Sequence, residues 1–299
     1  MASASRRRGL VALVVLGVAV AAAPGAFGMF SRAPKGGVMI TEFAPYMSVE
    51  KIDGFRGHLD TIGAAEAEVR REGLQVATLA TDWPRIDADM RSMLDTMLRN
   101  VDGYAGVAAL PPFPLFPWFF VIPGVLLAAL GVLALRRPDS ARRVTAAALA
   151  VGIGVAAAPA AFQMFTRAPG GARMIDDFRP LMTAERVTTI QGYFLSLGAA
   201  EGELRNDVLP DRPGQLPATR RLVTEWPRIS YEMAPMIGAM SDNLDNYAAV
   251  DALPPFWLFP WFFVIPGALV ALSSIAARRT SFAVGGTPQR SPLAEGQPA

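Results

Sequence analysis

The stretch MFSRAPKGGVMITEFAPYMSVEKIDGFRGHLDTIGAAEAEVR, residues 29–70, returns as MFTRAPGGARMIDDFRPLMTAERVTTIQGYFLSLGAAEGELR at residues 164–205, an offset of 135. A second match joins AALPPFPLFPWFFVIPG at 108–124 to DALPPFWLFPWFFVIPG at 251–267, now at an offset of 143. Each copy opens and closes with a long apolar run, so the repeating unit is apolar span, polar segment, apolar span. The pattern predicts an all-α membrane protein built by tandem duplication. The two copies also serve as internal controls on each other.

With 52% hydrophobic residues over 299 positions and a mean hydropathy of +0.31, the chain is too apolar for an ordinary soluble domain. Four runs, Leu10–Met29, Phe113–Leu135, Val144–Phe165 and Phe256–Ala277, reach the ~20 residues a helix needs to cross a bilayer core. None contains an ionisable residue. In hydrocarbon a helix satisfies its own backbone groups, so all four read as transmembrane helices. Arginines set the orientation: Arg6, Arg7 and Arg8 precede the first run, Arg136, Arg137, Arg142 and Arg143 fill the short loop, and Arg278 and Arg279 follow the fourth run. Basic loops stay cytoplasmic. The expected topology is multi-pass in the cell membrane, with residues 1–9, 136–143 and a disordered tail, 278–299, on the cytoplasmic side. Segments 30–112 and 166–255 then lie outside.

The first run also resembles a cleavable signal peptide, with a basic start, an apolar stretch and small residues near Ala23. Its counterpart at Val144–Phe165 has the same exit yet lies in mid-chain, which predicts retention. The absence of cysteine excludes disulfides and thiolate metal sites. A net charge of +2, with only Lys35 and Lys51 as lysines, gives no nucleic-acid footprint. The arginine and alanine bias fits a GC-rich bacterial genome.

Within the first polar segment Val49, Ile52, Phe55, Leu59, Ile62 and Val69 recur at helical spacing behind Ser48, a good N-cap, and Thr183 opens the equivalent helix. A returning helix is expected from Trp83-Pro84-Arg85-Ile86, with Ile86, Met90, Met93, Met97 and Tyr104 on its stripe and Ile229, Met233, Met236, Met240 and Tyr247 in the second copy. Each polar segment thus reads as a helical hairpin. Two hairpins together give a pseudo-twofold four-helix bundle, which can bury four stripes where one hairpin cannot. The insertion NDVLPDRPGQLPA at 206–218, with three prolines, lengthens the second distal turn by eight residues and reads as a loop.

Few residues suggest chemistry. Glu66 and Glu201 fall on packing stripes, where a carboxylate needs a partner. Arg85 and Arg228 are the expected partners, as structural ion pairs or as a ligand site. Asn100 and Asn243 sit on the returning stripes and read as buried amides setting register. His58, the one histidine, reads as solvent-facing. Trp118 and Trp261 suit the interfacial aromatic belt. Apart from Met1, every methionine has a counterpart in the other copy. Met90, Met93, Met97, Met233, Met236 and Met240 read as core fillers, with Cu(I) binding as a minor alternative.

No nucleophile–base pair, phosphate loop or metal-ligand spacing occurs, so neither an enzyme nor a cofactor is expected. The expectation is a non-catalytic bacterial envelope protein whose outward helical domain binds a partner or ligand, as scaffold, sensor-like or accessory subunit. Membrane lipids, a protein partner or self-association are the expected contacts, and nucleic acid is not. The alternative is a component of a lipid or hydrophobic-solute transport system. The architecture resembles membrane-anchored periplasmic four-helix sensor domains, an analogy of layout alone.

Overall fold

The computed structural model describes residues 2–282, and every regular element among them is helical. In chain order the α-helices are α1 (Ala2–Ala26), α2 (Met29–Phe43), α3 (Val49–Arg71), α4 (Ala77–Arg99), α5 (Val101–Ala108), α6 (Trp118–Arg136), α7 (Ala141–Ala161), α8 (Met164–Phe178), α9 (Ala184–Glu203), α10 (Pro217–Asp242), α11 (Leu244–Asp251) and α12 (Trp261–Phe282). Four stretches, Arg7–Ala26, Phe113–Arg136, Ala141–Ala161 and Phe256–Ala276, are long and apolar enough to cross a membrane, with mean hydropathies of 1.9 to 2.4.

Two expected spans run too far. Gly28 adopts φ 62° and Gln163, its counterpart, φ 55°, so the chain turns left-handed and α1 and α7 stop before them. Met29, Met164 and Phe165 therefore belong to the next helices. At the other end, α12 carries helix through Phe282, so the expected tail from 278 begins as helix; its remainder, 283–299, lies outside the described residues.

The chain folds as two compact units. One comprises Met1–Phe27, Phe116–Phe162 and the segment from Pro260, and holds the four apolar helices. In it α1 packs on α6, α7 packs on α12, and the pairs join through α1 against α12 and α6 against α7. Small residues make the tight pairs. A Cβ on Gly17 would stand 2.5 Å from the Ala128 backbone nitrogen, and one on Gly124 would stand 2.5 Å from that of Ala21. Gly152 and Gly267 repeat the arrangement against Ala271 and Ala156. Between helices that gain nothing from leaving water, such close backbone approach supplies the packing energy.

The second unit, Gly28–Leu115 with Gln163–Phe259, holds the polar segments. Ser48 Oγ accepts from the Lys51 N–H and Thr183 Oγ1 from that of Arg186, both at 3.2 Å, so α3 and α9 begin with real caps. Helix α3 packs against α4 and α10, and α9 against α10 and α4. One continuous apolar core runs through them, including Ile52, Phe55, Leu59, Ile86, Met90 and Leu94 with Ile190, Leu197, Ile229 and Met233.

The polar segments differ from simple hairpins in three ways. Each polar segment contains four α-helices rather than two, because α2 and α8 precede the expected pair and a break at Asn100 or Asn243 splits the returning helix. The returning helices start earlier than Pro84 and Pro227, which lie inside α4 and α10; Pro217 takes the favoured first-turn position of α10 instead. The insertion is not all loop: residues Leu204–Val208 continue α9 as one π-helical turn before the chain bends. Wider i→i+5 bonding accommodates extra residues without ending the helix.

Candidate functional site: a methionine-walled chamber

Helices α2 and α8 carry Met29, Ala33, Gly36 and Met164, Ala168, Gly171 on their buried faces. Gly36 lets Phe113 and Val250 approach to 3.1–3.3 Å of where a Cβ would be, and Gly171 does the same for Phe256 and Val107 at 2.6–3.1 Å. Helix α2 packs against α11 of the other copy, and α8 against α5. This exchange brings Met39, Ile40, Phe43 and Met47 to face Met174, Ile175, Phe178 and Met182 around a cavity of about 40 Å³, whose lining Tyr104 and Tyr247 complete. Each lining residue has its counterpart in the other copy.

The chamber offers no polar handle of its own. The Tyr104 hydroxyl donates to the Ile40 carbonyl and the Tyr247 hydroxyl to that of Ile175. Burial raises both phenol pKa values above the ordinary, so neither ionises near neutrality. Four thioethers, two phenylalanines and two isoleucines form the rest of the wall. Methionine has three rotatable bonds and a polarisable sulfur, so this wall can adjust to apolar guests of different shape.

Polar contacts between the copies hold the walls in place. Arg32 donates to the Ala252 carbonyl at 2.8 Å and Arg167 to the Ala109 carbonyl at 2.9 Å, each closing the C-terminus of the other copy's short helix. Farther along the helices are two equivalent clusters. Asp89 accepts from both ends of the Arg186 guanidinium, from Nη2 at 2.8 Å, and from the Tyr193 hydroxyl at 2.6 Å. At the matching place Glu232 accepts from Lys51 Nζ at 2.9 Å and lies 3.4 Å from His58 Nε2. The Arg186 hydrogen bond holds the Asp89 carboxyl below its ordinary pKa against the opposing effect of burial, and the Lys51 hydrogen bond does the same for Glu232. Glu68 reaches from α3 to accept from the Ala218 and Thr219 N–H groups at 3.2 and 2.8 Å, satisfying the free donors of α10.

Several expected roles change. Glu66 meets Arg70 at 3.6 Å and Glu201 meets Arg205, one turn along the same helix, rather than Arg85 and Arg228. Because α4 and α10 begin well before those arginines, Arg85 lies 5.4 Å over the Tyr193 ring and Arg228 pairs with Glu225 at 3.3 Å. Asn100 and Asn243 are buried at helix breaks rather than within a stripe; Asn100 donates to Asp177 at 2.9 Å and Asn243 to Glu42, each crossing to the other copy. His58 is buried, 5% exposed, rather than solvent-facing. Met90, Met93, Met97, Met233, Met236 and Met240 lie in the apolar core. Trp118 and Trp261 open α6 and α12 with about half their surface exposed.

The chamber and the clusters escaped the sequence reading. The signal for α2 was present, since Met29, Ala33, Gly36, Ile40 and Phe43 keep intervals of four and three. Pro34, Gly36 and Gly37, residue types that usually punctuate a chain, interrupt that signal. No family model matches the chain, and no curated protein matches it at a significant level.

Proposed function

We propose that this is a non-catalytic, multi-pass protein of a bacterial cell membrane whose extracytoplasmic helical domain holds the end of an apolar chain in the methionine-walled chamber. In this reading α3, α4, α9 and α10 form a pseudo-twofold bundle of a duplicated unit. Both termini and the Arg136–Arg143 loop stay cytoplasmic, because basic residues resist translocation. Trp118 and Trp261 mark the outer interface. The observation that carries the reading is the chamber itself: ten side chains from both copies converge on one cavity whose only hydroxyls are turned to backbone carbonyls. Such a wall favours an apolar guest and penalises a polar one, which would leave hydrogen bonds unmade.

A hydrophobic-solute or lipid transport component is the second reading. An apolar groove along α1 and α6, lined by Val14, Val18, Ala21, Val125, Ala128 and Val132, favours it. One experiment addresses the chamber. The full-length protein in lipid nanodiscs is irradiated with a diazirine-bearing fatty acid, and labelled residues are mapped by mass spectrometry. Labelling at residues 39–47 and 174–182 is expected, with loss in Ile40→Trp. Labelling confined to the apolar helices, or unchanged by Ile40→Trp, removes the chamber as a binding site.

A further inference from the structure

The outer faces of the helix pairs α3–α4 and α9–α10 hold equivalent positions in the two copies, yet their chemistry is opposite. On α3–α4, Arg91 donates to Asp87 and to Asp60, both at 2.8 Å, and Arg56 pairs with Asp53 at 3.2 Å and with Asp95. These six charged residues form a ladder adapted to water. The six equivalent residues on α9–α10 are Thr188, Gln191, Leu195, Ser230, Ala234 and Gly238, with no charge among them. Leu195 is 78% exposed, and Tyr231, which replaces Ala88, is 81% exposed. Charge depletion together with large exposed apolar and aromatic side chains marks a surface that is covered in use.

We propose that this α9–α10 face docks on its own counterpart in a second copy of this chain. The uncharged face selects an uncharged occupant, since a charged one would be desolvated with nothing to pair with. Relief selects this face in particular. The ion pairs of the first copy show which residues are level across the helix pair: Asp60 with Arg91, and Arg56 with Asp95. By the same correspondence Leu195 is level with Ala234, and Gln191 with Gly238. At these two levels α9 carries the long side chain and α10 the short one, with Tyr231 standing apart from them nearer the start of α10, and a Cβ built on Gly238 meets nothing within 4 Å. A twofold axis along the groove sets α9 of one copy on α10 of the other, so that Leu195 enters the space over Ala234 and Gln191 that over Gly238. Such an isologous contact is self-closing. Anchoring in one membrane confines both copies and raises their effective concentration. The proposal rests on the reading of the polar unit as an outward binding domain.

The chain has no cysteine, so engineered pairs report cleanly. Two differently tagged full-length copies, one Leu195→Cys and the other Ala234→Cys, are co-expressed and oxidised in native membranes. A reducible species of two copies is expected, and none from the control pair Asp60→Cys with Arg91→Cys. The variant Leu195→Asp with Ala234→Arg rebuilds the pair that the first copy already accommodates, so folding is spared. In nanodiscs its protein mass should halve, from two 31.9 kDa chains to one. Self-docking is overturned by a monomeric wild type, by a double variant that stays dimeric, by equal crosslinking of the control pair, or by Leu195→Cys crosslinked to a different protein. Orientation is read separately: if Asp60→Cys in intact cells resists a membrane-impermeant maleimide, the outward-domain reading falls, whatever the oligomeric state.

Discussion

Asp89 and Glu232 occupy matching positions, and each draws two side chains from the opposite copy, but they join the copies with different strength. Around Asp89 stand a guanidinium fork, a phenol and, over the phenol ring, Arg85. Around Glu232 stand a single ammonium and an imidazole at 3.4 Å. The guanidinium presents two donors in a fixed plane, whereas an ammonium on a flexible stem makes one bond and remains better hydrated. The positions match, while the number and geometry of the hydrogen bonds do not. The difference teaches that matching sequence positions fix where a contact falls, and side-chain chemistry fixes what it contributes.

The sharpest way to break this comparison is to delete each acceptor in turn. Asp89→Ala strands Arg186 and the Tyr193 hydroxyl, both partly buried, and should cost about 3 kcal/mol. Glu232→Ala should cost about 1 kcal/mol, because one ammonium bond and a long imidazole contact are lost where Asp89 loses a two-pronged guanidinium bond and a phenol bond. Denaturant unfolding of the full-length protein in detergent checks both, and equal losses would dissolve the distinction. Next in size is Glu68, which closes the first turn of α10 from the other copy. Glu68→Ala should cost about 2 kcal/mol through two lost charge-assisted bonds. Its counterpart substitution, Glu203→Ala, should stay within about 0.5 kcal/mol.

Acid sharpens the comparison further. The folded pKa values of Asp89 and Glu232 are both depressed, so each contributes stability above the ordinary carboxylate range and loses it as pH falls through the lower folded value. Stability should therefore decline below about pH 4. Asp89→Asn should remove more of that decline than Glu232→Gln in unfolding series from pH 6 to pH 2. An effect of the size expected for Glu232→Ala concerns the linkers. Gln163 holds the left-handed conformation that Gly28 adopts freely, so Gln163→Gly should gain about 1 kcal/mol and Gly28→Ala lose about as much, read from thermal midpoints.

Much of the fold was legible because apolar periodicity survives in a linear reading. The four long runs, the Ser48 and Thr183 caps and the stripes from Ile52 and Ile86 all report on single helices, whose signals are local. Helix α2 was missed because a proline and two glycines usually punctuate a chain; here glycine serves close packing under Phe113. The partners of Glu66 and Arg85 were missed for another reason. Their assignment depended on where α4 begins, and element boundaries shift easily by several residues.

The amino-acid sequence by itself determined that the chain is apolar enough to cross a membrane four times, that it is helical, and that long stretches of its two halves answer each other. These follow from hydropathy, period and self-similarity, which need no knowledge of what lies across the core. Only the tertiary structure decided which copy supplies each contact: α2 against α11, Glu68 against the start of α10, Lys51 against Glu232, and eight apolar residues with two tyrosines around one chamber. The physical reason is that helix exchange between segments of similar sequence is nearly invisible to local sequence. Equivalent stripes can pack within a copy or across to the other, and side-chain shape at close range makes the choice.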